Sequence, residues 1–428
     1  MVLPVSAADM TTPRVLRIYH SGRTKAHRAR DAALVAAGVD LQLLVPSNWT
    51  EGGAEEELTS ETYGLHELPV TRPDDVNRHV YASTASLKRL IDEVGPEVID
   101  LHEEPLSAVT HQVLSVVSPE VKVLFYSAQN LDKRYPPPFP AWERQAFARA
   151  VAAYPCSRQA ASVLRARGFR GHVEVLPLGY DPAIFSSGSQ RHDDDVFSCA
   201  VVGRLVPEKG LLDALQAFAG LVRQRPSVLR VVGDGPLRGE LEAWVSQQGL
   251  SASVIFTGRL DTNGVAAVYR SSHVTLVPSM PTARWVEQFG RMIVESQASG
   301  SVVLGYASGS IPEVSAGAAL VCAEGDRLGL ERALVDLAED PQLWDRLRDR
   351  GRRMAQQRTW SEVAGRHAQL YAQTSALSPM PVGPRARVGS DPEFGTPAVS
   401  LGGVTRPFAL PVLRSFPVVA KTFARFVR

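Results

Sequence analysis

Short apolar runs alternate with amphipathic stretches along residues 15–185. The apolar runs predict buried parallel strands, and the stretches between them, whose apolar residues recur with the helical period, predict helices. The predicted strands lie at 15–19, 41–45, 98–102, 121–126, 151–154 and 173–178. Parallel strands joined by right-handed crossovers build an open sheet, so this half of the chain predicts a Rossmann-like domain.

A second series of the same kind begins at residue 197. Its predicted strands lie at 197–202, 229–232, 254–257, 274–277, 302–305 and 319–322. Between the two series, residues 186–195 have no apolar periodicity, which is typical of a linker. The predicted fold class is therefore α/β, with two Rossmann-like domains whose parallel sheets face an interdomain cleft.

These patterns also set the domain boundaries. We predict a flexible N-terminus (1–14), an N-terminal domain (15–185), a linker (186–195), a C-terminal domain (196–360) and a tail (375–428). The first part of the tail is rich in Pro, Gly and Ser, which predicts disorder. Its end, 407–428, mixes apolar residues with Arg and Lys, so one interpretation is a short helix that touches an anionic membrane. A floppy tail, or one packed on the body, is the other interpretation.

The composition narrows the class of protein. The chain has 428 residues, 44% of them hydrophobic and 21% charged, and its net charge of +1 gives no case for nucleic-acid binding. Cys156, Cys199 and Cys322 lie far apart without metal-ligand spacing, which predicts free thiols in a reducing compartment. We expect neither a signal peptide nor a membrane span, hence a cytoplasmic protein, and we leave open whether Met10 is the true start.

The stretch 279–300 carries the clearest candidate chemistry. Glu287 stands in a loop before a predicted helix, and Glu295 stands inside that helix. The free backbone N–H groups of Phe289, Gly290 and Arg291 at the helix start would favour an anion. Carboxylates accept hydrogen bonds from hydroxyls, so the set suits a ligand with both hydroxyls and phosphates, such as a nucleotide sugar. The alternative is a capped helix with two ordinary surface glutamates.

A second candidate site follows the strand at 197–202. Arg204 and Lys209 flank a loop bounded by glycines at the predicted carboxyl end of this strand. Arginine can bind a phosphate with two hydrogen bonds and lysine acts as a point charge, so the pair suits a diphosphate. The alternative is a pair of solvated cations.

The N-terminal domain supplies basic candidates at the mouth of the same predicted cleft. The loop after the first strand contains His20, Gly22, Arg23 and Lys25. Arg28 and Arg30 follow it, and we interpret them as the solvated start of a basic helix. His102 ends a predicted strand, where its near-neutral pKa would let it bond a substrate phosphate or hydroxyl, although a structural histidine is the alternative.

The C-terminal motifs resemble those of a known family. Gly203-Arg204 with Lys209-Gly210, then Gly233-Asp234-Gly235-Pro236, then Glu287-x7-Glu295, then Gly309-x-Ile311-Pro312-Glu313 stand in family order. The set resembles the nucleotide-sugar domain of retaining glycosyltransferases of the family 4 type, group 1 glycosyltransferases with the GT-B fold. The resemblance covers 15–372, and it implies that a helix at 361–372 returns to the first domain.

The resemblance implies an activity. It implies transfer of a sugar from a UDP, GDP or ADP sugar to an acceptor, with retention at the anomeric carbon and without a metal or other cofactor. Arg204, Lys209 and the helix start at Gly290 would then stabilise the departing diphosphate. A glycan, a lipid-linked molecule and a small molecule stay open as acceptors, and a lipid-linked acceptor would suit a peripheral contact with the inner membrane face through 407–428.

The resemblance also implies roles for single residues. Glu287 and His102 are the catalytic candidates, because Glu287 would bond donor-sugar hydroxyls and His102 would lie near the acceptor and the reacting sugar. Glu295 would bond the ribose, and Arg259 and Leu260 would lie in the base-binding loop.

The first loop departs from the family pattern. Many relatives carry two glycines after the first strand, where the backbone meets the donor diphosphate, and this chain has only Gly22. Arg23 and Lys25 would compensate for the missing glycine or bind an anionic acceptor.

Two alternatives of other classes stay open. A nucleotide-sugar 2-epimerase would share the architecture, but it would not be expected to carry the Glu287-x7-Glu295 pattern. A sugar-nucleotide-binding protein without activity would not need Arg204, Lys209 and both glutamates. An epimerase gives free nucleotide and isomerised sugar without an acceptor, whereas a binding protein gives neither.

Overall fold

The apolar runs of the first half form one parallel sheet. A computed structural model describes residues 12–50, 61–188, 195–391 and 393–394 of the chain. The strands of its first half are β1 (Arg14–Ile18), β2 (Asp40–Pro46), β3 (Gly64–Leu68), β4 (Val70–Thr71), β5 (Val80–Tyr81), β6 (Val98–Leu101), β7 (Lys122–Ser127), β8 (Ala152–Pro155) and β9 (His172–Val173). The parallel sheet has the order β3-β2-β1-β6-β7-β8-β9, and β4 pairs with β5 in a small antiparallel ribbon.

Helices cover both faces of this sheet. They are α1 (Ala29–Ala36), α2 (Thr84–Val94), α3 (Ala108–Leu114), α4 (Phe139–Arg149) and α5 (Arg158–Arg167). Side chains of a strand alternate between faces, so Leu16 and Ile18 pack in one cluster and Val15 packs in the other. Two 3-10 turns, His20–Arg23 and Lys25–His27, precede α1 and shorten the helix that the sequence predicts.

The second half repeats the arrangement. Its strands are β10 (Phe197–Val202), β11 (Ser227–Val232), β12 (Val254–Gly258), β13 (Val274–Val277), β14 (Val302–Tyr306) and β15 (Ala319–Cys322), in the sheet order β12-β11-β10-β13-β14-β15. Its helices are α6 (Leu211–Val222), α7 (Arg238–Gln247), α8 (Thr262–Arg270), α9 (Arg291–Ala298), α10 (Ile311–Ser315), α11 (Arg327–Glu339), α12 (Pro341–Gln356) and α13 (Trp360–Gln373). The predicted fold class, two parallel α/β domains, is confirmed.

The last helix belongs to the first domain. Ala364, Leu370 and Tyr371 of α13 pack in one cluster with Val15 of β1 and Leu34 of α1. Because α13 covers the sheet face that also holds Arg17 and Asp100, it contributes to the polar interior described below.

One local prediction fails. We predicted disorder for the first part of the tail, but residues 377–391 pack on the first domain. The Gly383 N–H donates to the Gly168 carbonyl at 2.8 Å, and Phe394 is buried in the core of that domain. The predicted membrane helix at 407–428 lies outside the described residues, and no helix within them is long and apolar enough to span a bilayer.

Candidate active site

A cavity of about 660 Å³ lies where strands of the first sheet end. Residues that follow β1, β6 and β7 form most of its wall. Gln288 and Arg291 of the C-terminal domain and Trp360 of α13 complete it. The cavity therefore lies between the two domains, as the ends of facing parallel sheets predict.

His102 lies in the wall of this cavity with its Nδ1 turned into the protein. Nδ1 is 3.0 Å from the Tyr154 hydroxyl, and that hydroxyl donates to Asp100 Oδ1 in a short hydrogen bond. The phenol has one proton, so its oxygen must accept from Nδ1–H, which leaves Nε2 as the nitrogen with the free lone pair. Burial, together with the charges of Arg17 and Arg30, holds the pKa of His102 well below its usual value. His102 is therefore a neutral base and hydrogen-bond acceptor.

Asp100 connects this histidine to the last helix. Its Oδ2 accepts from the Tyr371 hydroxyl of α13 at 2.5 Å and lies 3.6 Å from Arg17 Nη1. Arg17 is the register partner of Asp100 on β1, and its Nε lies 3.1 Å from Asp31. Sequence reasoning missed this network, although a charged residue inside each of two apolar strands was the available signal.

A second histidine follows β1 and is held by Glu103. His20 Nδ1 lies 2.7 Å from Glu103 Oε1, and the His20 N–H donates to the same oxygen at 2.9 Å. Burial opposes ionisation of Glu103, but the charge and hydrogen bonds of His20, with the charge of His79, hold its pKa below the usual value. Within the described ranges, these three side chains are the one group whose potential metal-ligand atoms all lie within 4.8 Å. They could hold a metal ion, although Glu103 here bonds His20 directly.

Glu104 is a carboxyl group of the cavity that sequence reasoning did not select. It accepts hydrogen bonds from the Ser127 hydroxyl at 2.8 Å and from the Ala128 N–H at 2.7 Å. Burial outweighs these bonds and raises the pKa of Glu104 to about 7. Glu104 is thus a carboxyl group that changes charge near neutral pH. Its position next to Glu103, directly after a predicted strand, is the sequence feature that could have indicated it.

In the C-terminal domain, the structure joins two predicted site residues. Lys209 Nζ lies 2.6 Å from Glu287 Oε2, and the same oxygen accepts from the Ser279 hydroxyl at 3.0 Å. Lys209 also lies over the Trp285 ring, 5.0 Å from its centre. Glu287 Oε1 accepts no hydrogen bond from any described residue, so it is available to a ligand.

The Glu287 loop is fixed from both domains. The Glu287 carbonyl accepts from Asn130 Nδ2 of the N-terminal domain at 2.8 Å and from the Ser310 N–H at 3.0 Å. Gly309 leaves room for this loop, since a Cβ there would stand 2.3 Å from the same carbonyl oxygen. The side chain of Glu287 is therefore held at the domain boundary.

Helix α9 begins beside this loop. Gly290 precedes the helix with a φ of 76°, a conformation that favours glycine. The N–H groups of Phe289, Gly290 and Arg291 donate to no described residue, as the sequence predicts for an anion-binding helix start. The Phe289 side chain is buried in the core, so only its backbone can reach a ligand.

Glu295 lies within α9 and is paired. Arg291 Nε lies 2.9 Å from Glu295 Oε1, and about half of the Arg291 side chain is exposed. Burial raises the pKa of Glu295, and the charge of Arg291 opposes that rise.

Arg204 and the base-loop candidates are exposed. The Arg204 side chain follows β10 and makes no hydrogen bond or ion pair with any described residue. Arg259 and Leu260 follow β12 and are also exposed. The backbone at Gly233 packs against the Arg204 loop, because a Cβ on Gly233 would stand 1.9 Å from the Gly203 carbonyl oxygen.

Other N-terminal candidates do not line the cavity. Gly22 is buried, and a Cβ there would stand 3.0 Å from the Tyr19 ring. Arg23 Nη1 pairs with Glu67 at 3.3 Å, and Lys25 is exposed outside the cavity wall.

The interpretation of Arg28 and Arg30 as solvated is wrong, since they are 3% and 2% exposed. Arg28 pairs at 3.0 Å with Glu61, which is distant from it along the chain. Arg30 lies in the cavity wall. The local sequence does not show either burial, because both environments are built by residues far along the chain.

The C-terminal domain has a match among known families. Residues 185–354 match the family described as glycosyl transferases group 1. This region is therefore similar to group 1 glycosyl transferases. The motifs named for the resemblance at Arg204, Lys209, Glu287 and Glu295 lie inside the matched range.

The curated relatives that this chain resembles include transferases and a synthase. One is 2-deoxystreptamine glucosyltransferase of Streptomyces kanamyceticus, 28% identical over 235 residues, or 51% of this chain and 59% of the relative. Another is MMP alpha-(1->4)-mannosyltransferase of Mycolicibacterium hassiacum, 29% identical over 208 residues, or 48% of this chain and 49% of the relative. The chain thus spans about half the length of the curated relatives it matches. The epimerase alternative is not favoured.

Solved structures extend the likeness to both domains. Sucrose-phosphate synthase from Thermosynechococcus elongatus superposes with a TM-score of 0.66 at 19% identity, covering 85% of this chain and 99% of that one. HepE from Anabaena, solved with UDP and glucose, has a TM-score of 0.62 at 16% identity and covers 85% of this chain and 99% of its own. The matched region and the N-terminal domain therefore together have the GT-B fold.

Proposed function

We propose that the chain transfers a sugar from a nucleotide-sugar donor to an acceptor hydroxyl, with retention at the anomeric carbon and without a metal. One observation carries the proposal. The Lys209–Glu287 pair adjoins a helix start whose N–H groups are unbonded, and Gln288 and Arg291 of the same segment line the cavity that holds His102. A site for a diphosphate and a site for hydroxyls thus meet at one domain boundary.

The donor would bind through its diphosphate and its sugar. Arg204, Lys209 and the helix start at Gly290 supply positive charge where the leaving group gains negative charge. Glu287 would remain bonded to Lys209 through Oε2 and would accept a hydrogen bond from a sugar hydroxyl at Oε1. Lys209 would then bridge the carboxylate and the departing phosphate.

The acceptor would lie on the N-terminal side of the cavity. His102 Nε2 can accept a hydrogen bond from a hydroxyl of the acceptor or of the donor sugar, because Nδ1 holds the proton. We propose front-face attack by the acceptor, so that no side chain need form a bond to the sugar. Glycan, lipid-linked and small-molecule acceptors all fit this scheme.

Metal independence is supported by the charge pairs of the site. Glu287 and Glu295 already bond Lys209 and Arg291, so both carboxylates have cations within 2.9 Å. We further propose a cytoplasmic enzyme that reaches lipid-linked acceptors through 407–428. The three cysteines are free, which suits a reducing compartment.

The experiment that tests the proposal follows the sugar released from a UDP-α-glucose donor by NMR, with EDTA present and water replacing the acceptor. HepE, a fold neighbour, was solved with UDP and glucose, which makes this donor the first probe. We expect slow release of UDP with the α-anomer of the sugar appearing first. First appearance of the β-anomer would contradict retention, and an isomerised sugar would favour the epimerase.

A further inference from the structure

Arg30 is a buried guanidinium without an ion-pair partner. Its side chain is 2% exposed and lies in the cavity wall. Nη2 donates to the Pro177 carbonyl at 3.3 Å, whereas Nε and Nη1 have no hydrogen-bond partner. No carboxylate oxygen of the described residues lies within 4.0 Å of its nitrogens. Burying a charge is costly unless a partner compensates, so Arg30 lacks what the fold would be expected to provide.

The neighbouring buried arginines show the contrast. Arg28, on the same segment, pairs with Glu61 at 3.0 Å, and Arg17 pairs with Asp31 at 3.1 Å. Asp31 is at ion-pair distance from Arg17 and not from Arg30, although the charge of Arg30 also acts on Asp31. Arg17 and Arg28 thus each have a carboxylate within 4.0 Å, and Arg30 has none among the described residues.

The surroundings of Arg30 come from two segments far along the chain. Arg30 donates to the Pro177 carbonyl and lies over the Trp360 ring of α13, 5.0 Å from its centre. Its charge reaches His102, because it helps to hold the pKa of that histidine down after burial and Arg17. Arg30 is therefore placed beside the proposed reacting centre.

The rest of the cavity also favours an anion. Arg291 lines the same space, and the N–H groups at the start of its helix are unbonded. Glu103 is bonded to His20, and Glu104 accepts hydrogen bonds from the Ser127 hydroxyl and the Ala128 N–H. A substrate anion would thus meet Arg30 and a helix start rather than free carboxylates.

We propose that Arg30 binds an anionic group of a substrate, a phosphate or a carboxylate, inside the cavity. This inference rests on the proposed function for the identity of the substrates. The group comes from the donor diphosphate or from an acidic acceptor, and Arg30 would bond it through Nε and Nη1.

The test compares Arg30→Met with Arg28→Met by calorimetry and thermal unfolding. Calorimetry measures UDP alone, and then inorganic phosphate with UDP saturating, at constant ionic strength with EDTA. Arg30→Met should weaken binding of one probe at least tenfold and leave the melting temperature unchanged or raised, because it removes a buried charge that has no carboxylate of a described residue within 4.0 Å. Arg28→Met should lower the melting temperature, since Glu61 loses its partner, and should change neither affinity.

The two probes separate the two sources. Weaker binding of UDP assigns the donor diphosphate, and loss of phosphate binding with unchanged UDP binding assigns an acidic acceptor. If Arg30→Met binds both probes as the wild-type chain does, the inference is overturned. Weaker UDP binding by Arg204→Gln in the same experiment would show that the proposed function survives that failure. If the wild-type chain binds phosphate but not UDP, and Arg30→Met loses the phosphate binding, the proposed donor is wrong and the inference about Arg30 stands.

Arg30→Lys keeps the inference testable if Arg30→Met does not fold. It keeps the charge but loses the planar pair of donors, so the affected probe should bind three- to tenfold more weakly at an unchanged melting temperature. The inference is overturned if Arg30→Lys binds both probes with wild-type affinity while Arg30→Met fails to fold. These two results together would show that Arg30 has a structural role only.

Discussion

At the scale of residues, the site is organised by pairs that lie far apart in sequence. Lys209 and Glu287 form an ion pair, and Asp100 receives a hydroxyl from Tyr371 of the last helix. A polar group in such a pair is fixed in position before a substrate arrives, which is how a site favours a transition state. The proposed donor chemistry depends on Glu287 being both charged and immobile.

Replacing Glu287 by Gln should therefore reduce kcat/KM at least a hundredfold. Gln keeps the size of the side chain but removes the charge that holds Lys209, so loss of about 3 kcal/mol of transition-state stabilisation is expected. Glu331→Gln is the control, because Glu331 forms a surface ion pair with Arg223 at 3.6 Å in the same domain. Equal activity of both variants would contradict the assigned role of Glu287.

Glu104 predicts how stability depends on pH. Its pKa rises from 4.5 to about 7 on folding because the side chain is buried, so the folded chain binds more protons than the unfolded chain between these values. Stability from this group is present below pH 4.5 and is lost as the pH rises towards 7, by about 3 kcal/mol.

Glu104→Gln should remove that part of the pH dependence. Denaturant unfolding of the wild-type chain and of Glu104→Gln at pH 5 and pH 8 gives the free energy of unfolding at each pH. The change between the two pH values is then compared between the two proteins. A wild-type chain that loses no more stability than the variant over this interval would contradict the raised pKa.

At the scale of elements, the sheets were predictable and the polar contacts between elements were not. Strands buried on both faces, such as β10 and β13, appear in sequence as continuous apolar runs, so their order along the chain could be predicted. The partners of Arg28 and Asp100 could not be predicted, because a contact between distant parts of the chain leaves no local periodicity. The packing of the tail could not be predicted for the same reason, since its hydrogen bonds are made to α5 and to other parts of the first domain.

The packed tail segment, 377–394, gives an element-scale prediction. Phe394 is 5% exposed in the core of the first domain, with Arg165 over its ring at 5.7 Å. Phe394→Ala should lower the free energy of unfolding by up to about 3 kcal/mol, the loss being limited to the free energy with which the segment docks. Val388→Ala, at an exposed site of the same segment, is the control. Equal melting temperatures for the two variants would show that the segment does not stabilise the domain.

At the scale of the whole molecule, the fold explains why the chemistry lies at one boundary. Two parallel sheets end at a common cavity, α13 returns from the second domain to pack on the first, and Asn130 bonds the Glu287 loop across the boundary. The donor candidates in the C-terminal domain could be named from the sequence because their motifs are local, and they stay predictions. Glu104 and Arg30 could not be named, because they reach the cavity wall only through packing.

The most direct test of the central claim is a thermal unfolding screen with UDP, GDP and ADP in EDTA, on the wild-type chain and on Arg204→Gln. A ligand that binds the folded chain at a hundred times its Kd stabilises it by about 2.7 kcal/mol, which raises the melting temperature by several degrees. We predict that one nucleoside diphosphate stabilises the wild-type chain and that Arg204→Gln removes most of this effect. No shift with any of the three would contradict a metal-independent nucleotide-sugar site between these domains.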